Sequence, residues 1–193
     1  MRLDEHQSKR IFASAGIRIP PGVLVSRADV DDVVLPGEGP WFCKAQVLTG
    51  GRGKAGAILK ADSVDDVRDM CRHLFTMKVK GEAIPFVRVE PASRFSKEFY
   101  LSMALSRTRQ AFVLTIGEGG VNVEEQGESL LIQELPLTGP EDRHLRSAFF
   151  HIMERGEERK NHWSAFRDLL MALWQAVEDN GLLLGEINPL VLD

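Results

Sequence analysis

The spacing of apolar residues along the chain switches between helical and extended patterns, which predicts a mixed α/β order. Near the start, Asp4 and Gln7 can form a capping box, and Ile11 and Phe12 then share one helical face. Gly16 follows the last residue of this pattern and is expected to end the helix. The pattern therefore predicts a short amphipathic helix at the start of the chain, whose apolar side packs against the rest of the protein.

The next segment reads as a small α/β lobe. Residues 17–25 are extended and apolar around Pro20-Pro21-Gly22, which suits an edge strand or an approach loop because proline donates no ladder hydrogen bond. Residues 41–43 and 57–59 predict two short buried strands. Ser63 is a suitable cap for a following helix whose apolar residues form one stripe.

From Phe86 the apolar residues alternate with polar ones. Residues 86–90 and 98–105 predict half-buried strands, and residues 111–116 form an antiparallel pair with the second of them. Residues 130–135 predict one more strand. A run of antiparallel strands is therefore expected in this part of the chain.

The remaining residues predict two helices and a final strand. The first helix carries Leu145 and Phe149, and the polar residues 154–161 read as a surface linker. Residues 163–180 form a strongly amphipathic helix, and residues 182–191 read as a buried strand.

Four glycines and three cations lie together between two of these strands, in the segment from Lys44 to Gly56. Successive glycines let backbone N–H groups point into one concavity that binds an anion, and Lys44, Arg52 and Lys54 add positive charge. The alternative is a flexible hairpin tip with solvated cations. The segment is not a Walker A loop, because Lys54 is followed by Ala55 and not by Ser or Thr.

Composition narrows the function classes. The 193 residues can build one good core or two small lobes, and the 44% hydrophobic and 27% charged residues are ordinary for a globular protein. A net charge of -4 argues against nucleic-acid binding. Cys43 and Cys71 read as small buried hydrophobes, and no apolar run resembles a signal peptide or a membrane span. We therefore expect a cytoplasmic protein.

A few acidic and amide side chains interrupt otherwise apolar strands. Glu186 and Asn188 are two positions apart, so regular alternation places them on one face of the last strand. Carboxylate and carboxamide oxygens are hard ligands that suit Mg²⁺ bound with nucleotide phosphates. The alternative is that both side chains face solvent. For Glu90 and Glu98, the alternative to a role in a site is that both lie on the solvent-exposed face of a strand, where charged residues are usually found.

Six motifs, in this order, cover nearly the whole chain: Leu3 to Phe12, Lys44 to Gly56, Val89-Glu90 with Lys97 to Leu101, Glu118 to Val121, Pro136 to Pro140, and Glu186 to Leu190. Together they resemble the ATP-grasp part of the succinyl-CoA synthetase β subunit. ATP-citrate lyase and malate-CoA ligase are close relatives that share these motifs.

The resemblance implies an α+β (mixed α/β) chain with an ATP-grasp fold, in which two α/β lobes clamp a nucleotide. It places residues 18–92 in a small nucleotide-binding lobe, and residues 1–17 plus 93–193 in the second lobe. The family's second magnesium ligand would lie beyond Asp193, so the resemblance also implies a fold that is incomplete at its carboxyl end.

The resemblance also implies roles for individual residues. Lys44 would contact the phosphates of ATP, and the backbone of Gly51-Arg52-Gly53 would lie along them. Glu90 and the Ser93 backbone would hold the adenine and ribose end. Two further roles follow by the same resemblance: Glu98 would line the nucleotide site, and Asn188 would ligate Mg²⁺ beside Glu186. Ser93 and Asn122 differ from the residues of the commonest bacterial members.

The function implied is the nucleotide-binding part of an ADP-forming acid–CoA ligase that makes succinyl-CoA from succinate, CoA and ATP, or runs in reverse. The phosphohistidine and CoA site of the family belong to an α-type partner subunit or domain, so the isolated chain should bind nucleotide without making thioester. Three alternatives remain open. They are a malate- or citrate-specific relative, an ATP-grasp ligase that joins a carboxylate to an amine, and a module that binds nucleotide without turnover.

Overall fold

A computed structural model describes residues 2–93, 95, 97–120, 129–153 and 158–191. The elements are, in chain order, α1 (Glu5–Ser14), β1 (Val23–Ser26), β2 (Trp41–Gln46), β3 (Ile58–Ala61), α2 (Val64–Leu74), β4 (Lys78–Val79), β5 (Glu82–Ala83), β6 (Phe86–Pro91), β7 (Glu98–Ser106), β8 (Ala111–Glu118), β9 (Leu131–Leu135), α3 (Asp142–Ile152), α4 (Glu158–Asp179) and β10 (Leu184–Val191). The mixed α/β order predicted from the hydrophobic spacing is confirmed.

The chain divides into two compact units. The amino-terminal unit consists of Met1–Ile11 and Arg18–Arg94, and the carboxy-terminal unit of Phe12–Ile17 and Phe95–Asp193. The division falls inside α1, between Ile11 and Phe12.

The amino-terminal unit is built on a four-stranded antiparallel sheet with the order β1-β6-β2-β3. The segment that contains Pro20 and Pro21 is an approach loop, one of the two predicted alternatives, and it leads into β1 at the edge of this sheet. In the centre of the sheet, β2 and β6 pair so that Lys44 lies opposite Arg88 and Phe42 lies opposite Glu90. The pairing register therefore places charged residues of two strands side by side.

One face of this sheet carries the core of the unit. The helix predicted after Ser63 is α2, and its capping box forms between Ser63 and Asp66. Its buried residues Val67, Cys71 and Leu74 belong to the same core as Val87 and Val89 of β6. The predicted burial of both cysteines is confirmed, and both thiols are free.

The opposite face of the sheet is polar, yet α1 packs near it and removes it from water. The backbone N–H of His6 in α1 donates to Gln46 Oε1 at 2.8 Å, and Gln46 is 1% exposed. Arg88 and Glu90 lie on this face, and both are buried. The interpretation in which Glu90 points to solvent is therefore wrong, because β6 is covered on both faces.

The carboxy-terminal unit contains a second four-stranded antiparallel sheet, with the order β10-β7-β8-β9. The helices α3 and α4 pack against it, and Phe149, Leu170 and Leu173 are fully or almost fully buried. The register between β10 and β7 shifts between Ile187 and Leu190, which is an irregularity of the β-bulge type.

The helix α4 begins earlier than the sequence pattern predicted. It starts at Glu158, so the surface linker expected over residues 154–161 is wrong from residue 158 onward, and residues 154–157 lie outside the described residues. Glu, Arg and Lys are good helix formers, and a polar run with no apolar stripe can still be the first turn of a helix. Although α4 has 22 residues, no helix in the described part of the chain is long and apolar enough to cross a membrane.

The loop of residues 136–140 is fixed by one tight contact in this unit. Gly139 has a φ of +104°, and a Cβ built on it would lie 2.6 Å from Trp174 Nε1. The Trp174 ring system also packs against Phe112, whose ring meets it edge-on with a centroid distance of 5.0 Å. Only glycine fits at residue 139, because both the backbone angle and the indole exclude a side chain.

We expect Gly139→Ala to destabilise this unit more than Gly181→Ala does. Gly181 also has a positive φ, of +58°, but a Cβ there would meet nothing within 4 Å. The control should therefore lower the free energy of unfolding by about 1 kcal/mol, the cost of a left-handed residue. The contact with Trp174 should add roughly 1–3 kcal/mol at Gly139. Urea unfolding followed by circular dichroism measures both, and equal losses would contradict the packing argument.

Candidate functional site

The glycine-rich segment after β2 folds into a compact turn. The carbonyl groups of residues 51–53 accept hydrogen bonds from the N–H groups of residues 55–57 at 2.9 to 3.1 Å. The C=O and N–H of one trans peptide point in opposite directions. The N–H groups of Arg52 and Gly53 therefore point out of the turn, which is the arrangement that anion-binding backbone loops use.

Two glycines permit this conformation. Gly51 and Gly56 have φ values of +87° and +68°, a region that residues with a Cβ rarely adopt. The turn then returns to the sheet at Ala57, whose carbonyl accepts from the N–H of Ala45 at 3.0 Å. Two of the four glycines predicted to form a phosphate loop, Gly51 and Gly56, are thus favoured by the local backbone.

Beside this turn, six charged side chains from α1, β2, the turn and β6 form one network, here called the ionic cluster: Glu5, Lys9, Lys44, Arg52, Arg88 and Glu90. Each of these side chains is at most 22% exposed. The cluster lies within the amino-terminal unit.

Glu90 is the most enclosed acid of the cluster, and three cations hold it. Lys44 Nζ donates to Oε1, Lys9 Nζ lies 2.6 Å from Oε2, and Arg88 Nε lies 2.8 Å from the same oxygen. The Glu90 side chain is 4% exposed. Both carboxylate oxygens are therefore occupied by cations of this chain.

Glu5 holds the cations from another side. Its Oε1 lies 2.9 Å from Lys9 Nζ and 3.4 Å from Lys44 Nζ. Its Oε2 lies 2.6 Å from Arg52 Nη1, but the approach lacks hydrogen-bond geometry, so this buried oxygen has no hydrogen bond. Arg52 Nη1 donates instead to the Ala45 carbonyl at 3.0 Å.

Burial alone would raise the pKa of the two carboxyl groups, because it disfavours the charged form. The nearby Lys44 and Lys9 outweigh that effect, and the pKa of both Glu5 and Glu90 lies below its ordinary value. For Glu5, the charge of Arg52 lowers the pKa further. Both acids therefore stay ionised at neutral pH.

Arg88 ties the cluster to the segment before β1. Its Nη2 donates to the Pro20 carbonyl at 2.9 Å, and its Nη1 lies 2.9 Å from His6 Nδ1. Arginine is always a donor, so Nδ1 accepts, and burial followed by the charge of Arg88 lowers the pKa of His6. A Cβ on Gly22 would lie 2.5 Å from the guanidinium, so a larger residue there would force Arg88 to move.

The cluster does not neutralise itself. Four fixed cations face two carboxylates, so the cluster carries a formal excess of two positive charges in a poorly solvated place. An uncompensated charge away from water is costly, and an anion bound at this place would relieve the cost. The electrostatics of the unit therefore favour an anionic ligand at the glycine turn.

A second group of predicted residues meets in the carboxy-terminal unit. The Glu98 carbonyl accepts from the N–H of Gly119 at 2.9 Å, and the amide nitrogen of Asn188 donates to the Gly120 carbonyl at 3.3 Å. A Cβ on Gly119 would lie 2.9 Å from the β7 backbone, so the bend after β8 requires glycine. Asn122 lies outside the described residues.

The donor chemistry of Asn188 and Glu186 fits a hard cation. The amide nitrogen of Asn188 makes the bond to Gly120, so the carbonyl oxygen is the atom that could ligate a metal. Both side chains are exposed, and only two of the eight residues of β10 are buried, so the prediction of a buried strand over residues 182–191 is wrong. The bulge after Ile187 interrupts simple alternation, and the shared face of Asn188 and Glu186 stays a prediction. Among the described residues, no three His, Cys, Asp or Glu side chains are grouped to hold a metal ion.

The structure brings the candidate residues Lys44, Arg52 and Glu90 into one ionic network and leaves Ser93 exposed after β6; their roles toward a nucleotide stay predictions. Sequence reasoning missed four members or neighbours of the cluster: Glu5, His6, Lys9 and Arg88. One signal was available, since residues four apart on a helix face the same side and Glu5 and Lys9 form such a pair.

Curated relatives match the chain over its whole length. It is 31% identical over 208 residues to the succinate–CoA ligase [ADP-forming] subunit beta of Baumannia cicadellinicola, covering 100% of this chain and 52% of the relative. The corresponding protein of Proteus mirabilis is 33% identical over 207 residues with the same coverage. The chain thus spans about half the length of the curated relatives it matches.

Solved structures share the fold at low sequence identity. The dinucleotide forming acetyl-coenzyme A synthetase 1 of Ca. Korarchaeum cryptofilum superposes with a TM-score of 0.73 at 18% identity, covering 98% of this chain and 86% of that one. The ATP citrate lyase of Methanothrix soehngenii gives a TM-score of 0.69 at 15% identity, covering 100% of this chain and 47% of that one.

The family model described as the ATP-grasp domain matches residues 2–192, which is nearly the whole sequence. This match confirms the predicted ATP-grasp fold, and the antiparallel sheets with flanking helices agree with it. The chain therefore belongs to the ATP-grasp domain family.

Proposed function

We propose that this chain is the nucleotide-binding part of an ADP-forming acid–CoA ligase of the succinate–CoA ligase type, with ATP as its substrate. The observation that carries the proposal is the excess of two positive charges in the ionic cluster beside the glycine turn. The relatives at 31–33% identity are succinate–CoA ligase β subunits, which supports the same reaction class for this chain.

The chain's own residues would bind and orient the polyphosphate. Lys44 and Arg52 would place positive charge against the phosphate oxygens, and the outward N–H groups of the turn would donate to them. Glu90 would hold Lys44 in place and, with the Ser93 backbone, face the adenine and ribose end. In the carboxy-terminal unit, Glu98 would line the site.

Mg²⁺ would be held by Asn188 and Glu186 through hard oxygen atoms, and phosphate oxygens and water would complete its shell. When bound, the ion supplies charge neutralisation on the transferred phosphoryl group. The residues of this chain contribute only the ligands and the orientation of the phosphates.

The thioester step would need a partner. The relatives are named as β subunits, and the Ca. Korarchaeum cryptofilum structure contains coenzyme A and a nucleotide analogue. We therefore propose an α-type subunit or domain that carries the phosphohistidine and the CoA site. The two buried free thiols suit a reducing compartment, so the cytoplasm is the proposed location.

Replacing Lys44 should weaken ATP binding much more than AMP binding. Lys44→Met keeps the aliphatic stem but removes the charge, so we expect a loss of about 10-fold or more for ATP, the usual effect of losing a charge-assisted hydrogen bond. Isothermal titration calorimetry measures both ligands. The control is Lys60→Met on the neighbouring strand β3, where the lysine side chain is 54% exposed and pairs with Asp62. Equal losses for ATP and AMP would disprove a phosphate contact.

Replacing Asn188 should change how nucleotide binding depends on magnesium. Asn188→Leu removes the ligating oxygen, and we expect the Mg²⁺ concentration for half-maximal ATP binding to rise by about 10-fold, a typical effect of perturbing a metal site. Asn188→Asp is the matched variant, because it keeps a hard oxygen and should preserve the dependence. If both variants titrate with Mg²⁺ like the unmodified chain, Asn188 is not a ligand.

A further inference from the structure

Glu5 occupies the cations that the proposed function assigns to phosphate. Its carboxylate lies 2.6 Å from Arg52 Nη1 and 3.4 Å from Lys44 Nζ. The glycine turn that carries Arg52 is therefore bridged to α1 by a carboxylate of the chain itself. A carboxylate and a phosphate group compete for the same donors, because both are oxygen anions.

We propose that Glu5 is an internal anion that holds Lys44 and Arg52 until a phosphate group displaces it. The helix α1 thus carries a competitor for the nucleotide site, which lowers the affinity for phosphates and keeps the cations in place when no ligand is bound. This inference rests on the proposed function, since it concerns the same phosphate contacts.

The two acids of the cluster differ in how firmly they are held, and this difference identifies Glu5 as the replaceable one. Glu90 is 4% exposed, and cations bind both of its oxygens with hydrogen-bond geometry. Glu5 is 16% exposed, its contact to Lys44 is long, and its Oε2 has no hydrogen bond. An incoming anion therefore loses less by displacing Glu5 than by displacing Glu90.

Glu5 would not be left as an unpaired buried charge after the exchange. Lys9 lies one helical turn away on α1, with Nζ 2.9 Å from Glu5 Oε1, and this pair does not depend on the glycine turn. A phosphate group brings more negative charge than one carboxylate, so it also compensates the positive excess of the cluster more fully. The exchange is therefore favourable on charge balance.

A small fall in pH near neutrality would not break the contact of Glu5 with Lys44 and Arg52. The pKa of Glu5 lies well below its ordinary value because Lys44, Lys9 and Arg52 outweigh the effect of burial. The carboxylate stays charged near pH 7, so protonation of Glu5 does not release the cations in this range.

The test measures phosphate affinity in variants of Glu5. Inorganic tripolyphosphate, which has no base or ribose, is titrated into the full chain by calorimetry, and ATP and AMP are titrated in parallel. Glu5→Gln keeps the size of the side chain and removes its charge, so we expect tripolyphosphate and ATP to bind about 10-fold more tightly, or about 1.4 kcal/mol. AMP affinity should change much less.

Two further variants make the result specific. Glu5→Asp keeps the charge but shortens the reach to Arg52, so it should also tighten binding, by a smaller factor. Glu38→Gln changes the net charge equally at an exposed position in the same unit, and its tripolyphosphate affinity should change less than 2-fold, as expected for a screened surface charge.

Unchanged or weaker tripolyphosphate binding in both Glu5 variants would overturn the proposal, because it would make Glu5 an organiser of the site. Loss of the native circular dichroism spectrum in both variants would overturn it as well, since Glu5 would then be a permanent structural group. The proposed function fails on a different result, namely that the unmodified chain shows no preference for ATP over AMP.

Discussion

Burial of the Glu90 carboxylate is the constraint on which the amino-terminal unit depends. An unpaired charge at this depth would cost several kcal/mol, so β6 needs Lys44 from β2, Lys9 from α1 and its own Arg88 around the same group. That requirement fixes the register of β2 against β6 and the position of α1 on the polar face of the sheet. Gly22 suits this arrangement, since Arg88 fills the space that a larger side chain there would take.

The charges that organise this unit are also the charges that an ATP-grasp protein needs for a polyphosphate. Four cations and two carboxylates make a cluster that is stable as a structure but still positive, so structural role and ligand binding are carried by the same side chains. The glycine turn next to the cluster adds backbone N–H donors, which are neutral and do not increase its positive charge. Because Lys44 contacts both Glu5 and Glu90, any ligand that draws Lys44 away must also redistribute the two acids.

Several glycines in the motifs that resemble the family have a packing reason of their own. Gly139 lies against the Trp174 indole, and Gly119 crosses the β7 backbone at a distance that leaves no room for a Cβ. These glycines are therefore explained by the packing of the fold as well as by any role in binding. Arg52 is different, because its polar partners among the described residues are Glu5 and the Ala45 carbonyl, and it does not pair with the buried Glu90.

The sequence by itself determined the elements and the family, because hydrophobic period, capping residues and ordered motifs are local signals; the helix after Ser63 is an example. The site could be predicted from the sequence only in part. Lys44 and Arg52 could be identified as phosphate-binding candidates, but their partner Glu5 on α1 could not, since Glu5 and Lys44 lie 39 residues apart and meet only because α1 packs on the sheet. A period-two pattern also could not show that Glu90 is buried, because alternation assigns a residue to a face and the tertiary structure decides what covers that face.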